Sequence, residues 1–299
     1  MWSLEMEKSL TDFNRFFNRD TRMHIHPALK LCSWKICNIR KKFEDYTVLN
    51  YALDFDLIWI SEVKTALKIT VPGFITYHNI DAKNSNRGGV ILLVKHWLVP
   101  MVMQVDISEP SQIWVSLSCC TNLILGGCYV PPSDSDYRDT SLIGSLQAKL
   151  LTCDEKLPLL LGDLNARMWE KEALTSLWPE GGVAYEELED QTVNEQGRTF
   201  LQLCKDSNCA VLNHLHTRSR SYGGGLSFRK RQRWISELDV CIASKEAIPF
   251  ITRVHIENSK TLPSDHAPIE VTLDLSECKG NSDEVMERAA ALGAHSMPT

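Results

Sequence analysis

Long apolar runs are missing from this 299-residue chain. The longest, around Leu57–Ile60, Val90–Val94 and Leu157–Leu161, fall far short of the roughly 18 residues of a membrane-spanning helix, so a membrane is not expected as a partner. Residues 1–30 carry charges throughout and lack the apolar centre of a secretion signal. An intracellular location, nuclear or cytoplasmic, is expected. Excess positive charge is missing too: 32 Lys and Arg face 38 Asp and Glu, a formal net charge of −6. This argues against a mainly electrostatic nucleic-acid binder, which shows a basic domain, and leaves room for a local basic patch. Zinc-ligand spacing is also absent, since no C-x-x-C pairs with a matching set of histidines. Of the 10 cysteines, most, including Cys119, Cys120, Cys128, Cys209 and Cys241, sit in apolar runs and read as buried thiols in a reducing compartment. The chain shows no internal repeat and no low-complexity tract.

What is present has globular proportions, 43% hydrophobic and 23% charged. A chain of this length buries roughly 75% of its unfolded surface and needs no staple. Met6, Leu10, Phe13 and Phe17 recur at helical spacing, so residues 1–28 read as an N-terminal helical extension. The main domain is expected over residues 29–275, followed by a polar, disordered tail over 276–299. Within 29–275, short β-branched runs predict strands near 31–37, 57–61, 74–78, 89–94, 101–106, 113–118, 123–130, 159–162, 210–213, 238–243, 252–257 and 269–275. Helical patterns fall at about 43–53, 138–153 and 195–207, and the Glu/Gly/Pro-rich segment 171–194 reads as a surface loop. So many strands exceed one open sheet, and they do not alternate strictly with helices. The expected fold class is α/β, with two packed sheets and outer helices.

Several strands end in polar groups. Leu159–Leu161 runs into Gly162-Asp163-Leu164-Asn165, and side chains at i and i+2 of an extended segment share one face, so Asp163 and Asn165 would point into one cavity. Ser264-Asp265-His266 precedes the last strand and offers a hard oxygen ligand beside a proton-handling imidazole. Glu62 ends the 57–61 strand, and Asp239 leads another and would orient a histidine. Taken singly, each string is also ordinary turn or strand-end chemistry. Together, acidic strand ends plus one histidine are the parts of a metal-assisted phosphoryl-transfer site.

In these motifs the chain resembles the endonuclease/exonuclease/phosphatase superfamily and, within it, the endonuclease domains of LINE-type (non-LTR) retrotransposons. The markers, in order, are Ser33-Trp34, the run ending at Glu62, Asn86-Arg87-Gly88-Gly89-Val90, Tyr129-Val130-Pro131-Pro132, Gly162-Asp163-Leu164-Asn165-Ala166-Arg167, Asn194-Glu195-Gln196-Gly197, Ser236-Glu237-Leu238-Asp239, and Ser264-Asp265-His266-Ala267-Pro268-Ile269. They span nearly all of the chain but its ends. The resemblance implies a four-layer sandwich of two mixed β-sheets flanked by helices. It implies Glu62 and Asp265 as ligands of Mg2+ or Mn2+, Asp163 orienting the attacking water, and Asn165 on the scissile phosphate. His266, held by Asp239, would stabilise the developing phosphorane charge, and Tyr129 and Ser227 would contact phosphate oxygens. The partner so implied is nucleic acid, as duplex DNA, and the activity a metal-dependent endonuclease.

One position departs from that pattern. The superfamily places a metal-ligating asparagine directly after Ser33-Trp34, where this chain has Lys35, 27 residues before Glu62. A competing register uses Asn38 and needs a deletion of about three residues. An ammonium about 4 Å from a divalent cation is repelled by several kcal/mol at an effective dielectric of 20. Two further readings therefore stand beside the endonuclease: a catalytically weakened module that only binds nucleic acid, and a phosphatase of the same superfamily. The basic run Arg229, Lys230, Arg231 and Arg233, with Trp234 beside it, reads either as a solvated hairpin or as a contact to a duplex backbone.

Overall fold

The computed structural model describes residues 28–37, 39–64, 68–80, 88–136, 140–151, 156–186, 188–258 and 262–276. The N-terminal helix, Asn38, the Asn86-Arg87 part of one marker and nearly all of the polar tail lie outside the described residues.

In chain order the elements are β1 (Ala28–Lys35), α1 (Ile39–Lys42), α2 (Tyr46–Ala52), β2 (Leu57–Ser61), β3 (Phe74–Asn79), β4 (Val90–Lys95), β5 (Val102–Asp106), β6 (Gln112–Leu117) and β7 (Cys120–Tyr129). They continue as α3 (Thr140–Leu151), β8 (Leu157–Asp163), α4 (Lys171–Ser176), β9 (Ala184–Tyr185), α5 (Glu195–Asp206), β10 (Cys209–Val211) and β11 (Leu215–His216). The remainder is β12 (Phe228–Lys230), β13 (Arg233–Ser236), β14 (Asp239–Ser244), β15 (Ile251–Ile256) and β16 (Ile269–Asp274). Every strand and helix expected from the pattern within residues 29–275 is found. The segment 171–194 is not the surface loop its composition indicated: it carries α4 and β9, and Tyr185, Leu188 and Asp190 are buried. Apolar residues too widely spaced to make a period anchor this segment.

Two six-stranded mixed sheets form the body, ordered β15-β16-β1-β2-β4-β3 and β10-β14-β8-β7-β6-β5. Each has one central parallel pair, β1 with β2 and β7 with β8, and is otherwise antiparallel. The chain passes between sheets twice in the same way. A 3-10 turn with a proline in fifth place, His96–Met101 or Lys245–Phe250, leads into an edge strand bearing a register shift. The halves thus repeat in structure without repeating in sequence.

Strand alternation explains the layering. Leu31, Leu57, Trp59, Leu92 and Val94 face the second sheet, whereas Cys32, Trp34, Ile58, Ile60, Ile91 and Leu93 face Ile39, Val48 and Ala52 of α1 and α2. Leu142, Leu146 and Leu150 of α3 and Phe200, Leu203 and Cys204 of α5 join the apolar core with the second sheet. The architecture is an α/β sandwich of two mixed sheets with helices around them.

Close approach of the sheets depends on Gly127. A Cβ there would lie 1.9 Å from Trp59 Cγ, and Trp59 Nε1 donates to the Ile113 carbonyl at 2.9 Å, so the indole is pinned. Gly127→Ala is expected to destabilise by about 1–3 kcal/mol or more through overpacking. Urea unfolding measures it, and an unchanged midpoint would mean that the indole is free to move.

The described cysteines Cys32, Cys37, Cys119, Cys128, Cys204, Cys209 and Cys241 are free thiols. Cys120 is disulfide-bonded, a departure from the buried thiol expected at that position.

Candidate active site

The sheet topology collects polar strand ends at one edge of the sandwich. Because β1 and β2 run parallel, Lys35 pairs with Ser61 at their carboxyl ends and Glu62 follows at once. In the second sheet the parallel pair β7 and β8 places Tyr129 beside Asp163, and Asp239, at the start of antiparallel β14, is Asp163's other neighbour. The loop before β16 delivers Asp265 and His266. Residues more than two hundred positions apart meet here: Trp34 Nε1 donates to the His266 carbonyl at 3.0 Å and Ser264 Oγ to the Lys35 carbonyl at 2.7 Å.

Turning the chain from strand into site uses left-handed backbone. Glu62 has φ 55° and Asn165 φ 48°. Asparagine tolerates this region, but for glutamate it costs of order 1–2 kcal/mol, held by the surrounding structure. The backbone N–H of Asn165 donates to Asp163 Oδ1 at 3.0 Å, and its Nδ2 donates to the Val130 carbonyl at 2.8 Å and to Asp163 Oδ2 at 3.2 Å. Asp163 and Asn165 are thus bonded to each other through a left-handed turn and not through the extended segment expected from the sequence.

The deviant lysine lies inside this cluster. Lys35 Nζ is 3.0 Å from Asp163 Oδ2, and the two side chains are 10% and 0% exposed. The ammonium is 5.2 Å from the centre of the Tyr129 ring. Burial favours the neutral amine, but Asp163, Tyr129 and Glu62 outweigh it and hold the Lys35 pKa above its ordinary value. Tyr129 donates from its hydroxyl to Glu62 Oε1 at 3.1 Å, its phenol pushed upward by burial and by the carboxylates. Lys64 flanks the other oxygen of Glu62 at 3.5 Å.

His266 and Asp239 form a buried dyad, 1% and 0% exposed, with Nδ1 2.8 Å from Asp239 Oδ2. Nε2 points toward Asp163 Oδ2 at 3.9 Å. Within the described residues, His266 Nε2 and Asp239 Oδ1 are buried without a hydrogen-bond partner. Buried polar atoms left open at a strand-end cluster mark a place where a polar ligand atom fits. Burial lowers the imidazole pKa, yet Asp239 and Asp163 more than compensate and raise it. The Asp239 carboxyl is raised by burial, with the imidazole opposing. Both shifts run the same way, so the folded dyad binds protons more tightly than the unfolded chain. The contribution of His266 to stability is full below its unfolded value of about 6.5 and is lost as pH rises through the higher folded value. Urea unfolding at mildly acidic and mildly alkaline pH is expected to show wild-type stability falling with pH more steeply than that of His266→Asn. Equal slopes would contradict the shift. The His214–Glu237 pair remains in both proteins and cancels.

The residue chemistry fits a hard divalent ion. Glu62 and Asp163 supply carboxylate oxygens at one edge, and Asp265 is exposed beside His266. Asp163, Asp239 and His266 also present one ligand atom each within 4.8 Å of one another. The dyad hydrogen bond and the Lys35 pair already engage that trio. When bound, the ion would supply positive charge to a phosphoryl oxygen.

Beneath the site lies a network that motif reading missed. Arg167 grips Asp190 with two bonds, Nε to Oδ2 at 2.8 Å and Nη2 to Oδ1 at 2.6 Å, and Asp190 Oδ2 also accepts from the Glu237 backbone N–H at 3.2 Å. Glu237 then engages His214 Nε2 and Asn213 Nδ2, each at 2.8 Å. Asn194 caps α5 through Gly197 N–H and also accepts from Arg167 N–H, fastening the Asp163–Arg167 turn. A buried acid directly before Leu238-Asp239 was the available signal for Glu237. Nothing local marked Asp190.

Ser227 sits at the centre of another tie. Its Oγ accepts from the Leu238 and Asp239 backbone N–H groups at 2.9 and 3.0 Å. The basic run after it is a hairpin, β12–β13, turning at Arg231 and Gln232, both left-handed at φ 49° and 66°. Lys230, Arg231 and Arg233 are exposed, whereas Arg229 is half-buried, donating to the Leu262 carbonyl at 3.0 Å with its guanidinium 5.3 Å from the Trp234 ring. Phe228 bridges to His266, so the hairpin is anchored to the dyad.

No family model and no curated protein matches the chain. Among solved structures it is similar to the 3′ phosphatase NExo from Neisseria bound to product DNA hairpin. The two are 14% identical, the alignment covers 82% of this chain and 99% of that chain, and the TM-score is 0.59. At this identity the likeness is one of fold. Both are α/β sandwiches of two packed sheets.

Proposed function

We propose that the chain is a metal-dependent phosphoester hydrolase of the endonuclease/exonuclease/phosphatase type, acting on nucleic acid as a DNA endonuclease of the LINE retrotransposon kind. The observation that carries this reading is the convergence of Glu62, Tyr129, Asp163, Asn165, Asp239 and His266 on one sandwich edge, with His266 Nε2 left open toward Asp163. Glu62 and Asp265 would hold Mg2+ or Mn2+. Asp163 accepts the proton of an attacking water, Asn165 and Tyr129 position phosphoryl oxygens, and His266, kept charged by Asp239, meets the negative charge that develops on them. Lys230, Arg231 and Arg233 present an exposed basic edge on the hairpin tied to His266, suited to a duplex backbone.

A second reading, a nucleic-acid-binding module without turnover, is favoured by one observation, the Lys35–Asp163 ion pair. A phosphatase acting on DNA ends is favoured by the activity of the similar solved structure. Nicking of supercoiled plasmid with Mg2+, with and without EDTA, separates the three. Nicking that EDTA abolishes is expected. Silence on plasmid with phosphate release from a 3′-phosphorylated hairpin would replace the endonuclease by the phosphatase, and silence on both with retained DNA binding would leave the module.

A further inference from the structure

Two ammonium groups stand among the carboxylates that would receive a divalent ion. Lys35 Nζ pairs with Asp163 Oδ2 at 3.0 Å, and Lys64 Nζ flanks Glu62 Oε2 at 3.5 Å. Lys35 is the inner one: its side chain is 10% exposed, Asp163 is fully buried, and both Asp163 and Glu62 act on its charge. Lys64 is the outer one, its side chain 37% exposed. The remaining acceptor of Glu62 is taken by the Tyr129 hydroxyl at 3.1 Å. The positive charge these oxygens call for is thus delivered in part by the chain itself.

We propose that Lys35 is a resident cation of the site: its ammonium, held by Asp163, and a divalent ion at Glu62 exclude one another, and Lys35 thereby sets the affinity for the ion. The inference rests on the reading of this edge as a metal site and is independent of which phosphoester is cut. Two like charges sharing one partly buried site repel strongly. Removing the ammonium is therefore expected to tighten ion binding by at least about tenfold, a fraction of that repulsion.

The test is titration of the full chain with Mn2+, followed by the loss of free-ion electron paramagnetic resonance signal. Lys35→Met, which removes the charge without adding a ligand, and Lys35→Asn are both expected to bind Mn2+ at least about tenfold more tightly than wild type. Lys35→Arg is expected to stay weak, and Lys64→Met to gain less. Glu62→Gln in the Lys35→Met background is expected to erase the gain and so locate it. If Lys35→Met unfolds without ion, its thermal midpoint read across added Mn2+ serves instead, because an ion that binds only the folded state raises the midpoint. Equal Mn2+ affinity in wild type, Lys35→Met and Lys64→Met would overturn the proposal. Tightened Mn2+ binding without nicking in any variant would sink the endonuclease reading and leave this one standing.

Discussion

His266→Ala is expected to slow Mg2+-supported plasmid nicking by about 10²- to 10⁴-fold, the usual range for a positioned acid or base. The imidazole is 1% exposed, bonded through Nδ1 to Asp239 at 2.8 Å, and its Nε2 faces Asp163 with no partner of its own. A group buried this deeply and left open on one nitrogen is fixed in orientation before any ligand arrives. Asp239→Asn is expected to lose less, since the amide still hydrogen-bonds Nδ1 but no longer holds the charge on the ring. That variant is also expected to shift the alkaline limb of the rate profile to lower pH. A wild-type rate in His266→Ala would remove the dyad from the chemistry. Circular dichroism of the variant shows whether a lost rate reflects a lost fold.

Asp163→Asn is expected to destabilise the protein by about 3–5 kcal/mol at neutral pH, the cost of leaving one charge of a buried pair alone. Asn matches the carboxylate in shape, so packing is little disturbed. What changes is that Lys35, 10% exposed, loses the anion 3.0 Å away. Asn165 also loses one of its two acceptors on Asp163. The double variant Lys35→Met/Asp163→Asn is expected to be more stable than Asp163→Asn alone, because the orphaned ammonium is gone. The coupling from urea unfolding of all four proteins measures the pair. A double variant no more stable than the single one would mean that Lys35 swings out to solvent when unpaired and that its burial is incidental.

These two expectations draw on different levels of information. Asp163, Asn165 and His266 were legible in the sequence as candidates, because each stands in a polar string beside an apolar run and the strings occur in a recognisable order. Glu62 and Asp239 were legible for the same reason, and Tyr129 only through the family resemblance. The dozen main strands were legible because alternate residues face either the opposite sheet or the outer helices, and that imprints short β-branched runs. The basic run was visible as charge, but its form was not. A turn at two non-glycine left-handed residues, Arg231 and Gln232, has no strong local signature. Asp190 and α4 were missed because a buried acid gripped by Arg167 and a six-residue helix carry no period to detect.

By itself the sequence determined the fold class, the strand and helix positions and the inventory of polar strand ends, since period and turn chemistry are properties of neighbouring residues. Only the tertiary structure decided which of those ends meet. Two sheets of matching order, each with one central parallel pair, bring Lys35 and Asp163 to contact across 128 positions, although no local signal links them. The ammonium at position 35 could be read as an anomaly along the chain. Its partner could not, because pairing at long sequence separation is set by how whole sheets pack and not by the residues adjacent to either member.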